Sequence, residues 1–303
     1  MKTTMKYWIL FIVAFFALSC GGKEGLIRDF EDGIDEIPTE NENKLKLHVG
    51  SYNLRLITSS DLGVKDWANR KQWVRKIVDT HEFDILGTQE GVISQLDDIV
   101  MDKNYEYIAV GRDDGKLKGE TSGILFRKDK FNVLSTGSFW LSETPAVPSK
   151  GWDANINRIC TWIQFKELVS GKIFFFFNVH YDHQGAVARL ESSKLMLEKI
   201  KEIAGDNPAV MTGDLNAEPT TDVLTTLTSS SVLWDSKTVT TSPAVGPVGT
   251  FYDYDLTKVP TSRIDYVLVN KSIKVLGYKV IDDDFTTGNI ASDHLPVSVD
   301  IEF

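Results

Sequence analysis

Five short clusters of polar and acidic residues stand out in the chain, each at the end of a predicted strand. In chain order the clusters are Asn53; Gln89-Glu90; Asn178 to His183; Gly213 to Asn216; and Arg263 to Tyr266 with Ser292 to Pro296. Carboxylates, amides and histidines bind hard divalent cations, move protons and stabilise developing charge. Because strand ends can aim side chains from a rigid scaffold, the clusters predict one polar cleft.

Each cluster alone is weak evidence for a functional site. A Gly-Asp-x-Asn sequence is often a turn or helix cap in which a side chain satisfies backbone donors, and a lone histidine at a strand end is often structural. His48 and His81 fall in no cluster, and we expect them to be structural or exposed. His183 either lines the cleft or caps the turn before the next helix.

Hydrophobic periodicity describes the elements that must position these clusters. Helical spacing predicts helices over 67–80 and 186–204. Alternating or continuous apolar runs predict strands at 45–54, 83–90, 105–110, 122–126, 159–167, 173–180, 209–214, 262–269, 272–281 and 297–303. Many strands with few, dispersed helices favour two packed sheets with helices outside over a doubly wound parallel sheet.

Composition excludes several classes of protein. The 303 residues are 42% hydrophobic and 25% charged, which excludes a disordered, fibrous or polytopic membrane chain. The net charge of −10 repels polyanions and disfavours a coat on long nucleic acid. The local cations Arg112, Lys116 and Lys118 are diluted by neighbouring acids. Cys160 lies in an alternating stretch and is expected to be a buried filler.

The first residues resemble a bacterial lipoprotein signal. Lys2 and Lys6 precede the apolar run Tyr7 to Leu18, which is too short to span a bilayer, and Ser19 then precedes Cys20. We expect residues 1–19 to be a signal peptide and Cys20 to be lipidated, with simple secretion after cleavage near Ser19 as the alternative.

Residues 20–43 are acidic and lack a sustained apolar period, which indicates a lipid-anchored tether. Residues 44–303 are then the globular domain. These expectations place the protein at the bacterial cell envelope, periplasmic or outer-surface facing, with the membrane contacted through Cys20 and no obligate protein partner inferred.

The clusters together resemble the endonuclease/exonuclease/phosphatase superfamily, the deoxyribonuclease I-like proteins, and within it an uncharacterised bacterial lipoprotein subgroup. The resemblance covers nearly the whole globular part, and it rests on the order Asn53, Glu90, His180, Asp214-x-Asn216, Asp265 and Asp293-His294. It implies an α/β fold: a four-layer sandwich of two packed mixed β-sheets flanked by helices, with the site at one edge. Histidine at position 180 argues against the apurinic-site branch, which has tyrosine there.

The resemblance also implies a metal site. Glu90 is the best candidate ligand, with Asn53 and Asp293 beside it through oxygen or bound water. Mg²⁺ is the expected ion, with Mn²⁺ as an alternative, because hard cations prefer one or two carboxylates and retain several waters.

The remaining roles follow from the same resemblance. Asp214 would orient and deprotonate the attacking water, and Asn216 would fix that water against the phosphate. Asp265 would hold the tautomer of His294, which stabilises or protonates the phosphoryl group, and His180 completes the catalytic set.

Arg158, Asn178 and Asp182 are the candidate substrate contacts, since an arginine can bind phosphate through two donors. For Arg158 an exposed loop position is the alternative.

The predicted function is divalent-metal-dependent, phosphodiesterase-type hydrolysis of a phosphoester at the cell envelope. Three alternatives remain: a nuclease or 3′–5′ exonuclease, a phosphomonoesterase on sugar or inositol phosphates, and a non-catalytic binding lipoprotein. Long nucleic acid is not the favoured substrate because the chain is acidic.

Overall fold

Residues 44–303, the part of the chain that this computed structural model describes, fold into strands and helices that alternate irregularly along the sequence. The strands are β1 Lys46–Asn53, β2 Ile85–Gln89, β3 Tyr105–Ile108, β4 Ser122–Arg127, β5 Phe131–Trp140, β6 Ile159–Glu167, β7 Ile173–His180, β8 Ala209–Asp214, β9 Trp234–Asp235, β10 Asp265–Val269, β11 Lys274–Val280 and β12 Val297–Glu302. The helices are α1 Trp67–His81, α2 Ile93–Val100, α3 Ala186–Ala204, α4 Asp222–Ser229, α5 Ser236–Val239 and α6 Asp283–Thr287, with a short 3₁₀ turn at Gly63–Lys65.

The predicted signal peptide (1–19), Cys20 and the tether (20–43) lie outside the described residues. Within residues 44–303, no helix is both long and apolar enough to cross a membrane.

The strands form two six-stranded sheets with matching layouts. One has the order β11-β12-β1-β2-β4-β3 and the other β5-β6-β7-β8-β10-β9. The central pairs β1–β2 and β7–β8 are parallel, whereas the other neighbours are antiparallel. Since parallel strands end at the same edge, each sheet presents two strand ends side by side.

Three apolar clusters lie between four layers, which are two sheets and a layer of helices on the outer face of each. The first fills the space between the sheets and includes Val49 of one sheet and Phe176 of the other. The second packs α3 and α4 on the outer face of the β7–β8 sheet, and the third packs α1 and α2 on that of the β1–β2 sheet. The predicted four-layer sandwich of two mixed sheets is confirmed.

A polar contact also joins the sheets. The Asn178 side chain donates to the carbonyls of Thr88 and Gly123, both at 2.8 Å, and accepts from Gln89 Nε2 at 2.7 Å and Thr212 Oγ1 at 3.0 Å. With these four bonds and no exposed surface, Asn178 links the two sheets. It does not face the cleft, which corrects its expected role as a substrate contact.

Periodicity missed six elements, all of them short or at a sheet edge: β5, β9, α2, α4, α5 and α6. β5 is an edge strand whose residues 132–136 are exposed, so the buried alternation that marks a strand is absent. α2 has only eight residues and buries just three of them, Gln95, Leu96 and Ile99. Short amphipathic segments resemble loops until a neighbouring sheet is present.

Candidate active site

The site forms where both central parallel pairs end. Asn53 is the last residue of β1 and pairs in register with Gln89, directly before Glu90. In the other sheet His180 pairs with Asp214, and Asp214 pairs on its other side with Asp265. Five clusters that are distant in sequence therefore meet at one edge of the sandwich, as the strand-end pattern predicted.

A buried carboxylate–imidazole pair lies at the centre. His294 Nδ1 is 2.8 Å from Asp265 Oδ2, and His294 Nε2 is 3.8 Å from Asp214 Oδ2. Ligand atoms of Asp214, Asp265 and His294 lie within 4.8 Å of one another, a grouping that could hold a metal ion. Because the hydrogen bond already pairs Asp265 with one ring nitrogen of His294, we interpret these two residues as an ion pair and not as independent ligands.

Burial and mutual charge shift the pKa values of this group. Burial and the neighbouring charge of Asp265 raise the pKa of Asp214 to about 7. Burial opposes protonation of His294, but the charge and hydrogen bond of Asp265 outweigh it, so the pKa of His294 lies well above its ordinary value. An acid that titrates near neutrality suits proton transfer, and a charged imidazolium suits stabilisation of phosphate charge.

Glu90 lies in a strained backbone conformation at the end of β2. Its φ of 63° is in the left-handed region, uncommon for a residue with a side chain. Its carboxylate accepts from the backbone N–H of Leu56 at 3.0 Å and from Asn53 Nδ2 at 3.1 Å. Although burial opposes it, the charge of His294 and these hydrogen bonds lower the pKa of Glu90, which keeps it ionised.

Asn53 lies between two carboxylates. Its Nδ2 donates to Glu90 and, at 3.0 Å, to Asp214, while its Oδ1 accepts from the N–H of Arg55 at 3.0 Å. In this arrangement Asn53 orients the two acids, and its amide oxygen faces the backbone.

The donor set fits a hard divalent cation. Burial, and then the negative charge of Glu90, raise the pKa of Asp293, as expected for carboxylates crowded around a place where a cation would offset them. Arg55 Nη1 approaches Asp293 Oδ2 only to 3.7 Å and is already bound to Asp61. Glu90 and Asp293 are the residues that would hold the ion, with Asp214 and Asn53 adjacent.

His180 and Asn216 face this group from the β7–β8 sheet. Asn216 Nδ2 is 3.1 Å from His180 Nε2 and donates to the carbonyl of Tyr181, and the Asn216 N–H donates to Asp214 Oδ1 at 2.8 Å. Burial, then the positive charges of Arg158 and Arg112, lower the pKa of His180 well below its ordinary value. A neutral His180 therefore stands opposite the charged His294.

Arg158 forms the wall beside His180. Its side chain is 4% exposed, and within residues 44–303 its Nε and Nη1 lack a hydrogen-bond partner, although Nε lies 3.6 Å from Asp182. Arg112 and Glu120, which bond to each other, close this wall and line a small recess with Arg158 and His180. Arg158 is therefore a buried residue of the cleft wall, and the alternative of an exposed loop position is wrong.

Asp182 and His183 differ in position. Asp182 accepts from four backbone N–H groups, of Asn155, Ile156, Gln184 and Gly185, and so organises the loop behind Arg158. It does not line the cleft, which corrects its expected role as a substrate contact. His183 does line the cleft, and its Nδ1 lies 3.1 Å from Arg158 Nη2.

Sequence reasoning missed several cleft residues. The cleft, with a volume of about 450 Å³, is also lined by Arg55, Ser60, Phe251 and Asp253. They lie in connecting segments where no periodicity gives a signal. The proximity of Arg55 to Asn53 in the chain was the one available hint.

Comparisons with known proteins agree with this geometry. A structure described as an endonuclease/exonuclease/phosphatase family protein from Bacteroides thetaiotaomicron is 43% identical, with a TM-score of 0.81 over 86% of this chain and 96% of that one. A mannosyl-6-phosphatase from the same species is 43% identical, with a TM-score of 0.80 over 85% of this chain and 100% of that one. The human Nocturnin catalytic domain, 19% identical with a TM-score of 0.65 over 84% and 94%, shares the fold.

Two uncharacterised proteins of Acanthamoeba polyphaga mimivirus are more distant. They are 29% and 24% identical over matched regions that cover 51% of this chain in each case, and the chain spans 61% and 27% of their lengths. The family model for the Endonuclease/Exonuclease/phosphatase family matches residues 50–294, which contain every predicted catalytic and metal-binding residue from Asn53 to His294. The chain therefore belongs to the endonuclease/exonuclease/phosphatase family, whose members are phosphoester hydrolases that depend on divalent metal ions.

Proposed function

We propose that this protein is a Mg²⁺-dependent phosphomonoesterase of the bacterial cell envelope that acts on small phosphoesters such as sugar phosphates. The sequence favoured a phosphodiesterase-type reaction and kept the monoesterase as an alternative. The preference for a monoester over a diester rests on Arg158, because its buried guanidinium, with unpartnered donors, lies beside His180. A monoester presents more free oxygens and more charge than a diester, since its second pKa is about 6.

Two further observations support a small substrate. A cleft of about 450 Å³ has the size of small-molecule sites. The 43% identical neighbour from Bacteroides thetaiotaomicron is described as a mannosyl-6-phosphatase, so a sugar phosphate suits a similar site.

The residues of the chain divide the chemistry as follows. Asp214 takes the proton of the attacking water, which its pKa of about 7 permits near neutral pH. Asn216 and neutral His180 orient the phosphate and water. His294, held charged by Asp265, stabilises the phosphoryl charge and donates a proton to the leaving oxygen.

The metal is the second part of the proposal. Glu90 and Asp293 would hold Mg²⁺ or Mn²⁺, and the bound ion would neutralise phosphate oxygens as a Lewis acid. Activity is expected to disappear in a chelator and to return when Mg²⁺ or Mn²⁺ is added. Undiminished activity in the chelator would refute the metal dependence.

A substrate panel tests the monoester assignment. We expect p-nitrophenyl phosphate and hexose phosphates to be hydrolysed faster than bis(p-nitrophenyl) phosphate, poly(A) or duplex DNA at low and high salt. R158Q should lower kcat/KM for the monoester by about 10- to 100-fold, in line with loss of a charged hydrogen bond, and change the diester rate less. Arg127→Gln, which alters an arginine paired with Asp129, is the control.

Preferred, salt-sensitive cleavage of long polynucleotide would restore the nuclease alternative. No hydrolysis of any phosphoester would favour a binding lipoprotein.

A further inference from the structure

Arg70 of α1 is a buried cation that forms no direct ion pair with a carboxylate of residues 44–303. Its side chain has no exposed surface, and none of the ion pairs formed by residues 44–303 includes it. Its guanidinium instead donates to four backbone carbonyls: Nε to Lys65 at 2.9 Å, Nη1 to Leu54 at 2.5 Å and Ala291 at 3.0 Å, and Nη2 to Arg55 at 2.5 Å. Burial of a cation costs free energy, so a buried arginine without an ionic partner indicates a structural or functional role.

Three of these carbonyls, those of Leu54, Arg55 and Ala291, belong to two segments that carry site residues. Leu54 and Arg55 directly follow Asn53 at the end of β1, and Ala291 stands two residues before Asp293. The segments are far apart in the chain, and Ser292 Oγ also joins them directly by donating to the Asn53 carbonyl at 2.7 Å. Arg70 thus fastens the strand end that bears Asn53 to the loop that bears Asp293.

Gln95 of α2 forms hydrogen bonds with the same backbone segment that Arg70 contacts after β1. Its side chain is fully buried, donates to the Arg55 carbonyl at 3.0 Å and accepts from the Ile57 N–H at 3.2 Å. The carbonyl of Arg55 therefore receives hydrogen bonds from two helices. Arg55 has a φ of 57°, and such strain persists only where the surroundings fix it.

The held segment presents its own N–H groups to the site. The Arg55 N–H donates to Asn53 Oδ1 and the Leu56 N–H donates to Glu90 Oε2, each at 3.0 Å. A shift of this segment would move both bonds and, through Ala291, the backbone beside Asp293.

We propose that Arg70 and Gln95 are positioning residues that fix Asn53, Glu90 and Asp293 in the geometry required for metal binding. We refer to the two residues as the Arg70–Gln95 clamp. The inference rests on the proposed metal role of Glu90 and Asp293. Residues that orient metal ligands from behind contribute about 10- to 100-fold in metal affinity, so the clamp should be visible in binding as well as in turnover.

Mn²⁺ binding followed by electron paramagnetic resonance of the free ion tests the clamp without any substrate. R70M and Q95M should each raise the Kd for Mn²⁺ by about 10-fold or more. V74A is the matched control, because Val74 is buried on the same helix and lies in the apolar cluster. It should lower thermal stability while leaving the Kd unchanged.

Chemical rescue supplies a second readout. In R70A, millimolar guanidinium should restore Mn²⁺ affinity, whereas urea, which is neutral and of similar shape, should not. R70K should bind Mn²⁺ little better than R70A, because a single ammonium nitrogen with three donors cannot replace four bonds made by three separate guanidinium nitrogens. Should R70M fail to fold, Q95M decides the inference by the same measurement.

Failure of the clamp and failure of the metal assignment give different results. If E90Q weakens Mn²⁺ binding but R70M and Q95M lose stability like V74A with an unchanged Kd, the clamp is wrong and the metal site stands. If E90Q leaves Mn²⁺ binding unchanged, the metal assignment itself is wrong, and the clamp is wrong with it.

Discussion

Asp265 and His294 show how one hydrogen bond sets the chemistry of a residue. Both side chains are almost completely buried, and burial by itself would lower the pKa of His294 and favour its neutral form. The 2.8 Å contact between them outweighs that tendency for His294, whose pKa is raised. The imidazolium therefore depends on its partner, and removing either residue should remove the same function.

Replacement of this pair gives the residue-scale prediction. His294→Ala should lower kcat for p-nitrophenyl phosphate by roughly 10²- to 10⁴-fold, and Asp265→Asn by at least about 10-fold. The double variant should be no slower than His294→Ala, because Asp265 acts through His294. His81→Ala, which alters a histidine bound to Asp283 outside the cleft, is the control. Multiplicative losses in the double variant would contradict this dependence.

At the scale of elements, Asn178 shows why the two sheets keep their relative position. Its four side-chain bonds reach β2, β4 and β8, and Gly87 permits the approach, since a Cβ there would lie 2.0 Å from Thr212 Oγ1. The strand ends that carry Glu90 and Asp214 stand on either side of this contact.

Asn178→Leu should therefore lower the free energy of unfolding by about 3 kcal/mol or more, because buried polar groups at the contact lose their partners. Urea denaturation followed by tryptophan fluorescence measures the change. The exposed Asn132→Leu on edge strand β5 is the matched control, with an expected change within about 0.5 kcal/mol. Equal losses in the two variants would mean that Asn178 is not a special link.

Helix α6 carries a buried acid that should make stability depend on pH. Asp284 Oδ2 accepts from the Ala291 N–H and lies 2.6 Å from the hydroxyl of Tyr252, which is also close to the Ser292 carbonyl. A single hydroxyl proton serves only one of these acceptors, so a protonated Asp284 completes the chain. Burial raises the pKa of Asp284 to about 6, although the hydrogen bonds from Tyr252 and the Ala291 N–H oppose the shift, so the carboxyl is protonated mainly below pH 6.

Because this pKa is above that of an unfolded aspartate, about 3.9, the folded state binds the proton more tightly. Stability due to Asp284 should be full below pH 4 and should fall, by up to about 3 kcal/mol, as the pH rises through 6. Asp284→Asn should abolish this part of the pH dependence. Urea denaturation of both proteins from pH 4 to 8 measures the difference, and parallel profiles would refute it.

At the scale of the whole molecule, the net charge of the chain differs in sign from the local charge of the arginines beside the cleft. The net charge of −10 repels long polyanions, whereas Arg112 and Arg158 at the wall of the site, together with the proposed cation, would offset the cleft carboxylates for one small anion. This difference favours small substrates over long polyanions.

Anchoring gives the prediction at this scale. Cys20→Ser should release the protein from membrane fractions of cells without loss of phosphatase activity, because the expected acidic tether separates the anchor from the catalytic residues. Ser19→Ala, which keeps the cysteine, is the control and should stay in the membrane fraction. Absence of label after growth with radioactive palmitate would contradict the lipid anchor.

The sequence by itself determined the class of fold and predicted which residues would meet in the cleft. Periodicity located most strands, and strand-end clusters such as Asp214-x-Asn216 and Asp293-His294 marked the cleft, because side-chain chemistry and strand period are local properties. The same locality explains the errors: nothing near Asn178 or Asp182 in sequence distinguishes a residue that binds substrate from one that bonds its own backbone.

Tertiary structure alone decided which groups share a charge, a proton or a contact. The pKa of Asp214 depends on Asp265, which lies on another strand, and the proposed role of Arg158 depends on its burial beside His180. No local pattern around Arg70 marks it as buried, and only folding brings four carbonyls around it. Such properties arise from the exclusion of water around residues that are distant in the chain, which no local pattern encodes.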